Sequence, residues 1–497
     1  MQVWFGWDAA TTEQNPVVWD SKRLTNPHMI MMGDTGSGKT HQLRHVCTSI
    51  AETSSSHTRV HIFDRHGDIE IDGASSVLFS QSADFGINPL ELNPDPHYGG
   101  VRKRVQSFIS GVNRTSLRLG HRQEAVLRNL LYDLYRSMGF SLDDPHTWAA
   151  SNAAEVLSVP GKEDRLYLEV PYEERERARK AGLRFDADPD VKSWWCYPRE
   201  HQGAARRWPV KVVGLRYPTL LDAIRFSTGR LRAMFLGSNQ QAVRALESVQ
   251  RAAKALAIKQ KNAARHGDAG HEGEEVASEL QEARAKAISA YTAAVNSIAT
   301  GRELDDLLKY DSIETVKSVL DRLENIYALS VFGSVPPPLD PTAKVHRYVL
   351  KTLHDDAQKL LVDTQAETIF ADAMQRGEQS EVREVLVVDE ASAFISSDGD
   401  HILNRIAKEG RKFGVMLLLA SQGPGHFTDD LISAAGTKVM LGFDRNQWRD
   451  AHRMLGMSNQ ALEWIIPRRR GVLTMKVAGE LHSGTHWVDF CGPQQGV

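Results

Sequence analysis

Cysteine is scarce in this chain: three residues, Cys47, Cys196 and Cys491, among 497. They are widely separated and odd in number. That leaves no disulfide framework and no paired C-x-x-C metal site, and it suits a reducing compartment. Long apolar runs are missing too. The longest candidate, Val415 to Ala420, has the length of a core strand and falls far short of the roughly 18 residues a spanning helix needs. Direct membrane insertion is therefore not expected, and any membrane association would come through partners. The start, Met1-Gln2-Val3-Trp4-Phe5-Gly6-Trp7-Asp8, lacks the basic beginning and apolar stretch of a secretory signal. There is no excess of one sign of charge either: 60 Lys and Arg against 63 Asp and Glu leave a formal net charge of −3. No global basic field announces nucleic acid, although a basic path on one surface would be invisible in that sum. What is present is ordinary for a globular chain. Hydrophobic residues make up 41% and charged ones 25%, enough to build a large core across roughly two to four domains of about 150 residues.

The informative segment begins with an apolar strand, His28 to Met32. It runs into Gly33-Asp34-Thr35-Gly36-Ser37-Gly38-Lys39-Thr40, and Lys39 to Ala51 then reads as a helix. Val60 to Phe63 is a second strand, ending at Asp64. The alternation returns near the C-terminus, where Val385–Val388, Val415–Leu419 and Lys438–Leu441 are strands of the continuous apolar kind that is buried on both faces. The expected fold class is α/β.

The octapeptide fits G-x-x-x-x-G-K-[ST], and each fixed position has a physical reason. Gly33, Gly36 and Gly38 allow a tight turn whose N–H groups point at phosphate oxygens. Lys39 reaches the β and γ phosphates, Thr40 is placed to hold Mg²⁺, and the helix that starts here favours an anion at its N-terminus. The expected nucleotide-binding set is Gly33 through Thr40 together with the adjoining His41, and the expected ligand is ATP with Mg²⁺. A strand ending in a carboxylate should accompany the loop, and Val385–Val388 followed by Asp389-Glu390 supplies it. Asp389 would hold the metal through water and Glu390 would polarise the attacking water. Val415–Ala420 ends in Ser421-Gln422, which puts Gln422 at the tip of a neighbouring strand, positioned to sense the γ phosphate. Charge developing on that phosphate calls for an added cation, often an arginine of a neighbouring subunit. The candidates are Arg405, Arg411 and Arg468-Arg469-Arg470, and Arg411 is favoured for its place just before the Gln422 strand. No N/T-K-x-D base-reading motif is found, since Thr437-Lys438 is followed by Val439-Met440, which argues against a GTPase.

Between these halves the periodicity changes. Apolar residues at Ala242, Leu246, Val249, Ala253 and Leu256, then at Leu280, Ile288, Tyr291, Val295 and Ile298, predict two helices joined by a polar turn, and Asp311 to Phe332 a third. A shorter stretch, Lys162 to Pro209, carries Trp194, Trp195 and Trp208 among alternating charges. It reads as a separate module whose tryptophans are either its core or, beside arginines, a surface for single-stranded nucleic acid. The run from His97 to Gln123 holds Arg102, Lys103, Arg104, Arg114, Arg118 and Arg122 and no carboxylate. It suits either a DNA backbone or acidic partner groups. The expected division is an N-terminal core part at 1–148, the module at 162–210, an all-α subdomain at 215–335 and a C-terminal core part at 340–497.

Taken in order, these segments resemble the HerA/FtsK superfamily of ring-forming pumping ATPases, in particular its conjugation and type IV secretion branch. The likeness rests on Ile62-Phe63-Asp64-Arg65-His66-Gly67-Asp68, Asn88-Pro89-Leu90-Glu91-Leu92, Leu119-Gly120-His121-Arg122-Gln123 and Gly410-Arg411-Lys412-Phe413-Gly414 leading to Ser421-Gln422. It covers roughly Pro27 to Arg136 and Lys344 to Phe490. The resemblance implies a RecA-like P-loop core with the α-helical subdomain and the small α+β module inserted in it. It also implies homo-hexameric rings with nucleotide between subunits, and DNA or sometimes protein moved through a channel. Lys39, Thr40, Asp389, Glu390, Gln422 and Arg411 take the roles given above. A bacterial cytoplasmic location is implied, with recruitment to the inner membrane by conjugation, secretion or mobile-element partners. The chain begins almost at the core, so neither the β-barrel of the helicase branch nor the membrane anchor of many coupling proteins is expected. The segment Leu168 to Pro198 resembles a small module of plasmid primases. The leading expectation is a DNA-translocating ATPase. A secretion ATPase acting on pilus proteins and an ATP-gated defence or assembly switch are the alternatives.

Overall fold

The computed structural model describes residues 1–9, 15–188, 191–201, 203–236, 245, 248–258, 272–296 and 309–490. The N-terminal strands are β1 (Gln2–Asp8), β2 (Pro16–Asp20), β3 (Met29–Met32), β4 (Arg59–Asp64) and β5 (Ser75–Leu78). Next come five strands outside the main sheet: β6 (Ser151–Val156), β7 (Leu166–Leu168), β8 (Arg184–Asp186), β9 (Ser193–Cys196) and β10 (Val212–Leu215). The chain then returns as β11 (Val345–Val349), β12 (Glu384–Val388), β13 (Val415–Ser421), β14 (Thr437–Met440), β15 (Arg470–Met475) and β16 (Gly484–Asp489).

Eleven strands form one sheet, in the order β2-β1-β16-β15-β14-β3-β13-β12-β4-β11-β5. From β14 to β5 every pairing is parallel, whereas β15, β16, β1 and β2 add an antiparallel edge. The central strands are apolar without interruption because both faces are covered, and the period of two sorts their side chains. Ile30, Met32, Leu386, Val388, Leu417 and Leu419 join one core. Met29, Met31, Val385, Val387, Met416 and Leu418 join the other. Helix α1 (Lys39–Thr53) packs Leu43, Val46, Cys47 and Ile50 into the second core. Helices α2 (Val101–Asn113), α3 (His121–Ser137) and the helix Asp355–Arg376 cover the first. Each fully buried aliphatic side chain stabilises the fold by about 1.5–3 kcal/mol.

The segment between β5 and β11 leaves the sheet and comes back to it. Strands β6 and β10 pair antiparallel, Val156 opposite Val212, as an outgoing and a returning strand. Beyond them β7, β9 and β8 make a small separate sheet. The third expected helix forms as Ile313–Ala328, with the Ser312 hydroxyl accepting from the N–H of Thr315. It stops short of Phe332 because Ser330 adopts φ +58 and Phe332 leaves to bridge Ile87. Of the expected helical pair, Ala242, Leu246, Ile298 and residues 259–271, which hold most of the polar turn, lie outside the described residues. The helix Glu272–Asn296 is present, and its apolar stripe is only partly buried: Leu280 is covered, whereas Ile288 and Tyr291 are exposed. Cys491 also lies outside the described residues. Among those described, no helix is long and apolar enough to cross a membrane.

Candidate functional site

The carboxyl ends of β3, β13, β12 and β4 lie side by side, and each releases a short segment carrying polar groups. This is where ligands sit in open parallel sheets, because the backbone there turns away and leaves a crevice. The strand order β3-β13-β12-β4 puts Gln422 and Asp389 between the glycine loop and Asp64, although they are more than three hundred residues away in sequence.

The loop from Gly33 to Gly38 is tight. A Cβ at Gly33 would fall 2.5 Å from Ser37 Oγ, while Gly36 and Gly38 adopt φ +83 and +101, the left-handed region that glycine enters without cost. Lys39 opens α1, is buried, and its Nζ donates to the Gly33 carbonyl at 2.6 Å. The first-turn amides of α1 have no intrahelical partner, and Ser37 Oγ is buried without one. Those donors fit an anion. Two further groups clamp the loop. Asp34 accepts from Gln447 Nε2 at 2.9 Å, and Arg468 donates from Nε to the Gly36 carbonyl at 3.0 Å. The backbone N–H of Arg468 also donates to the Ser37 carbonyl at 3.0 Å, from a residue held at φ +64.

Across the crevice the acidic groups converge. Carboxylate oxygens of Asp64, Asp68 and Asp389 lie within 4.8 Å of one another. Asp64 is fully buried and already satisfied. It accepts from the N–H groups of Gly67 and Ile69 at 2.7 and 3.0 Å and from Arg347 Nη2 at 2.7 Å. These bonds hold the turn 65–69, and the turn presents Asp68, whose Oδ2 accepts from the Thr40 hydroxyl at 3.4 Å. Burial, then the neighbouring Glu390 carboxylate, push Asp389 up to about 6, with Asp68 and Asp64 adding to the effect. A crowded set of oxygen ligands beside a threonine hydroxyl fits a hard divalent cation such as Mg²⁺. Glu390 follows at φ +48, and Gln422 Nε2 approaches its carboxylate at 3.4 Å. Thr35, Gly36, Ser37, Gly38, Lys39, Thr40 and His41 share one crevice of about 910 Å³ with Asp389, Glu390, Gln422, Asp68 and Arg468. Gly33 and Asp34 form the base of the same loop.

The arginines separate. Arg411 precedes the amino end of β13, on an exposed surface beside Lys22 and Glu381. The seven residues of β13 rise about 3.3 Å each, so Arg411 stands roughly 20 Å from the crevice of its own chain. Arg405 lies over the Phe370 ring and Arg470 over that of Trp464. Only Arg468 of the triplet lines the crevice, and there it holds its own loop. In the basic run, Arg102, Arg104 and Arg114 pair with Asp143, Glu367 and Asp363, and Lys103 donates to the His97 carbonyl. Most of that run therefore meets acceptors of its own chain, while Arg118 and Arg122 are exposed. Sequence reading assigned no role to Arg347 or to Arg468 as a clamp, and it named Asp68 only within a resembling segment. The signal for Arg347 was present: a lone guanidinium in the apolar strand Val345–Val349 needs a buried partner.

Residues 8–99 match the family model described as the central domain of helicase HerA, and residues 165–209 match a domain of unknown function, DUF5710. The DNA double-strand break repair helicase HerA of Pyrococcus furiosus is 24% identical over 272 residues, 46% of this chain and 48% of that protein. The DNA primase TraC of Escherichia coli is 33% identical over 94 residues, 18% of this chain and 6% of that protein. The chain thus spans about half the length, or less, of the curated relatives it matches. Among solved structures, VirB4 of Thermoanaerobacter pseudethanolicus superposes with a TM-score of 0.52 at 13% identity, covering 98% of this chain and 95% of that one. That likeness is one of fold. The segment that carries the Lys39 loop is thus similar to the HerA central domain, and the chain shares its α/β fold with VirB4.

Proposed function

We propose that this chain is an ATPase of the HerA/FtsK type and a ring-forming DNA translocase of a conjugative or mobile-element system, hydrolysing ATP at subunit interfaces. The observation that carries the reading is the crevice itself, where the Lys39 loop faces Asp389, Glu390 and Gln422 across the ends of adjacent strands. DNA as the substrate is supported by the HerA relatives, described as DNA double-strand break repair helicases.

In this reading the first-turn amides of α1 and Lys39 bind the β and γ phosphates. Thr40 and Asp389 would hold Mg²⁺, with the Asp68 carboxylate beside them. Bound Mg²⁺ supplies neutralisation of the phosphate charge. Glu390 takes the proton of the attacking water, and Gln422 fixes the direction of that carboxylate. Arg411 is too far from its own crevice to act there, so it serves the crevice of a neighbouring subunit and meets the charge developing on the γ phosphate. A homo-oligomer, with six subunits as in the family it resembles, is the assembly that this requires.

DNA-stimulated ATP turnover tests the proposal. Stimulation together with ring-shaped particles is expected. Turnover indifferent to DNA favours a secretion ATPase acting on protein, and slow unstimulated turnover with nucleotide-dependent assembly favours a defence or assembly switch.

A further inference from the structure

The small sheet β7-β9-β8 carries two kinds of tryptophan. Trp194 and Trp195 are consecutive on β9, so they must face opposite sides. Trp195 lies opposite Tyr167 and Arg184, and it is buried with Tyr167, Leu157 and Val191. Trp208 is buried in a second small core with Leu168 and Ala178, and its indole N–H donates to Glu174 at 2.7 Å. These two build the module. Trp194 packs one side of its ring against that second core and reaches a groove with the rest.

Trp194 pairs across the strands with Phe185, and their rings meet edge to face with centroids 5.5 Å apart. Phe185 is 51% exposed, and on the facing wall Tyr172 is 72% exposed. All three line an open groove of about 1040 Å³. Large aromatic side chains left in water mark a binding surface, because burying them elsewhere would have stabilised the chain. The charge around them selects the class of ligand. Arg175, Arg179, Lys192, Arg207 and Lys211 line the groove against two carboxylates, Glu169 and Glu174. Of these two, Glu174 is already engaged by Arg207 at 2.7 Å. The Arg175 guanidinium sits 4.2 Å from the centroid of the Tyr172 ring, covering one face of an otherwise open platform.

We propose that this groove binds single-stranded nucleic acid, with unpaired bases stacking on Tyr172, Phe185 and Trp194 and phosphates tracked by the surrounding arginines and lysines. Stacking is tolerant of sequence, since every base has a π face, and it excludes duplex, whose bases are already stacked on one another. The site is separate from the ATP crevice and needs no nucleotide, so its failure would leave the translocase reading standing.

Binding of fluorescent twelve-nucleotide dT and rU probes to the full chain without ATP provides the test, read by anisotropy beside a duplex of equal length. Binding of either single strand well above duplex is expected, and the comparison of dT with rU tells DNA from RNA. In the double variant Tyr172→Ala, Phe185→Ala the affinity should fall by about ten-fold or more. The aromatic exchange Tyr172→Phe, Phe185→Tyr should retain it. An alanine variant that binds normally, an aromatic exchange that loses binding as the alanines do, or a duplex bound as tightly as the single strands would each overturn the proposal. Binding of neither strand would also overturn it, in favour of an extended acidic peptide. Should the alanine variant melt early, Lys192→Gln takes its place. A fall of about 0.7 in the salt slope supports the proposal, and an unchanged slope overturns it.

Discussion

Arg468 grips the phosphate loop of its own chain, donating to the Gly36 carbonyl through Nε and to the Ser37 carbonyl through its backbone N–H, both at 3.0 Å. The contact joins the start of the β15–β16 hairpin to a loop more than four hundred residues earlier. Arg468→Ala removes the side-chain bond and keeps the backbone one. A charge-assisted hydrogen bond of this kind is worth about 1.5–3 kcal/mol, so ADP affinity measured by calorimetry should fall about ten-fold or more. Unchanged affinity would show that the loop is rigid without its clamp.

The crevice residues should separate binding from chemistry. Lys39→Ala is expected to abolish nucleotide binding or turnover. Glu390→Gln keeps the shape and hydrogen-bonding reach of the side chain while removing the base. Nucleotide should still bind, with turnover lower by about a hundred-fold or more. A Glu390→Gln chain that turns over normally would dismiss the assignment of the base.

In the proposed ring Arg411 acts on a neighbouring chain, which makes a mixing experiment decisive. Arg411→Ala should lose turnover and keep nucleotide affinity. Mixed with the Lys39→Ala chain, it should regain part of its activity, because intact crevices then meet intact arginines. Two inactive chains that remain inactive after verified co-assembly would argue against the role in trans.

Breaking the Asp64–Arg347 pair should be costly. Arg347→Ala leaves a fully buried carboxylate without its cation, and such losses run to about 3–5 kcal/mol. A clear drop in the urea midpoint is expected, with a smaller one for Asp64→Asn combined with Arg347→Met. Equal stability of Arg347→Ala and the parent would sink this account of how the turn 65–69 is held.

His28 should make folding sensitive to acid. Its Nδ1 accepts from the N–H of Leu417 at 3.0 Å, and complete burial lowers it to about 4, only partly opposed by the carbonyls of Ala407 and Ile406. The folded value is depressed below the ordinary one near 6.5, so between pH 6.5 and 4 the unfolded chain binds the extra proton. The stability due to neutral His28 is full above that window and is lost as pH falls through it, by up to about 3 kcal/mol. The chain with His28→Gln should show a flatter fall in thermal midpoint over the same range. Parallel curves would remove His28 as the cause.

The strands were legible wherever the pattern was local. The runs at Met29–Met32, Val385–Val388 and Val415–Ala420 are apolar at every step because both faces of the sheet are covered, and their polar exits mark the crevice. The glycine loop announced itself because its turn depends on adjacent residues. Other features were not local. The stripe carrying Ile288 and Tyr291 marks one face of a helix, yet both residues are exposed, because periodicity reports a face and not what covers it. Likewise the basic run at 97–123 suits a DNA backbone and acidic groups alike, and half of its cations meet acids of this chain such as Glu367 and Asp363, brought there by another helix.

The sequence alone therefore determined the phosphate loop, the acidic strand end at Asp389-Glu390 and the α/β class, since these follow from backbone freedom and burial along a few neighbouring residues. Tertiary structure decided which distant groups complete them. Asp68 comes under Thr40, Arg347 under Asp64, and Arg468 over Gly36 only because the strand order folds remote segments to one end of the sheet. The same holds for Trp194 and Trp195: two adjacent letters, sent to opposite faces by the pleat of a single strand, one into a core and one half-buried at the edge of a groove.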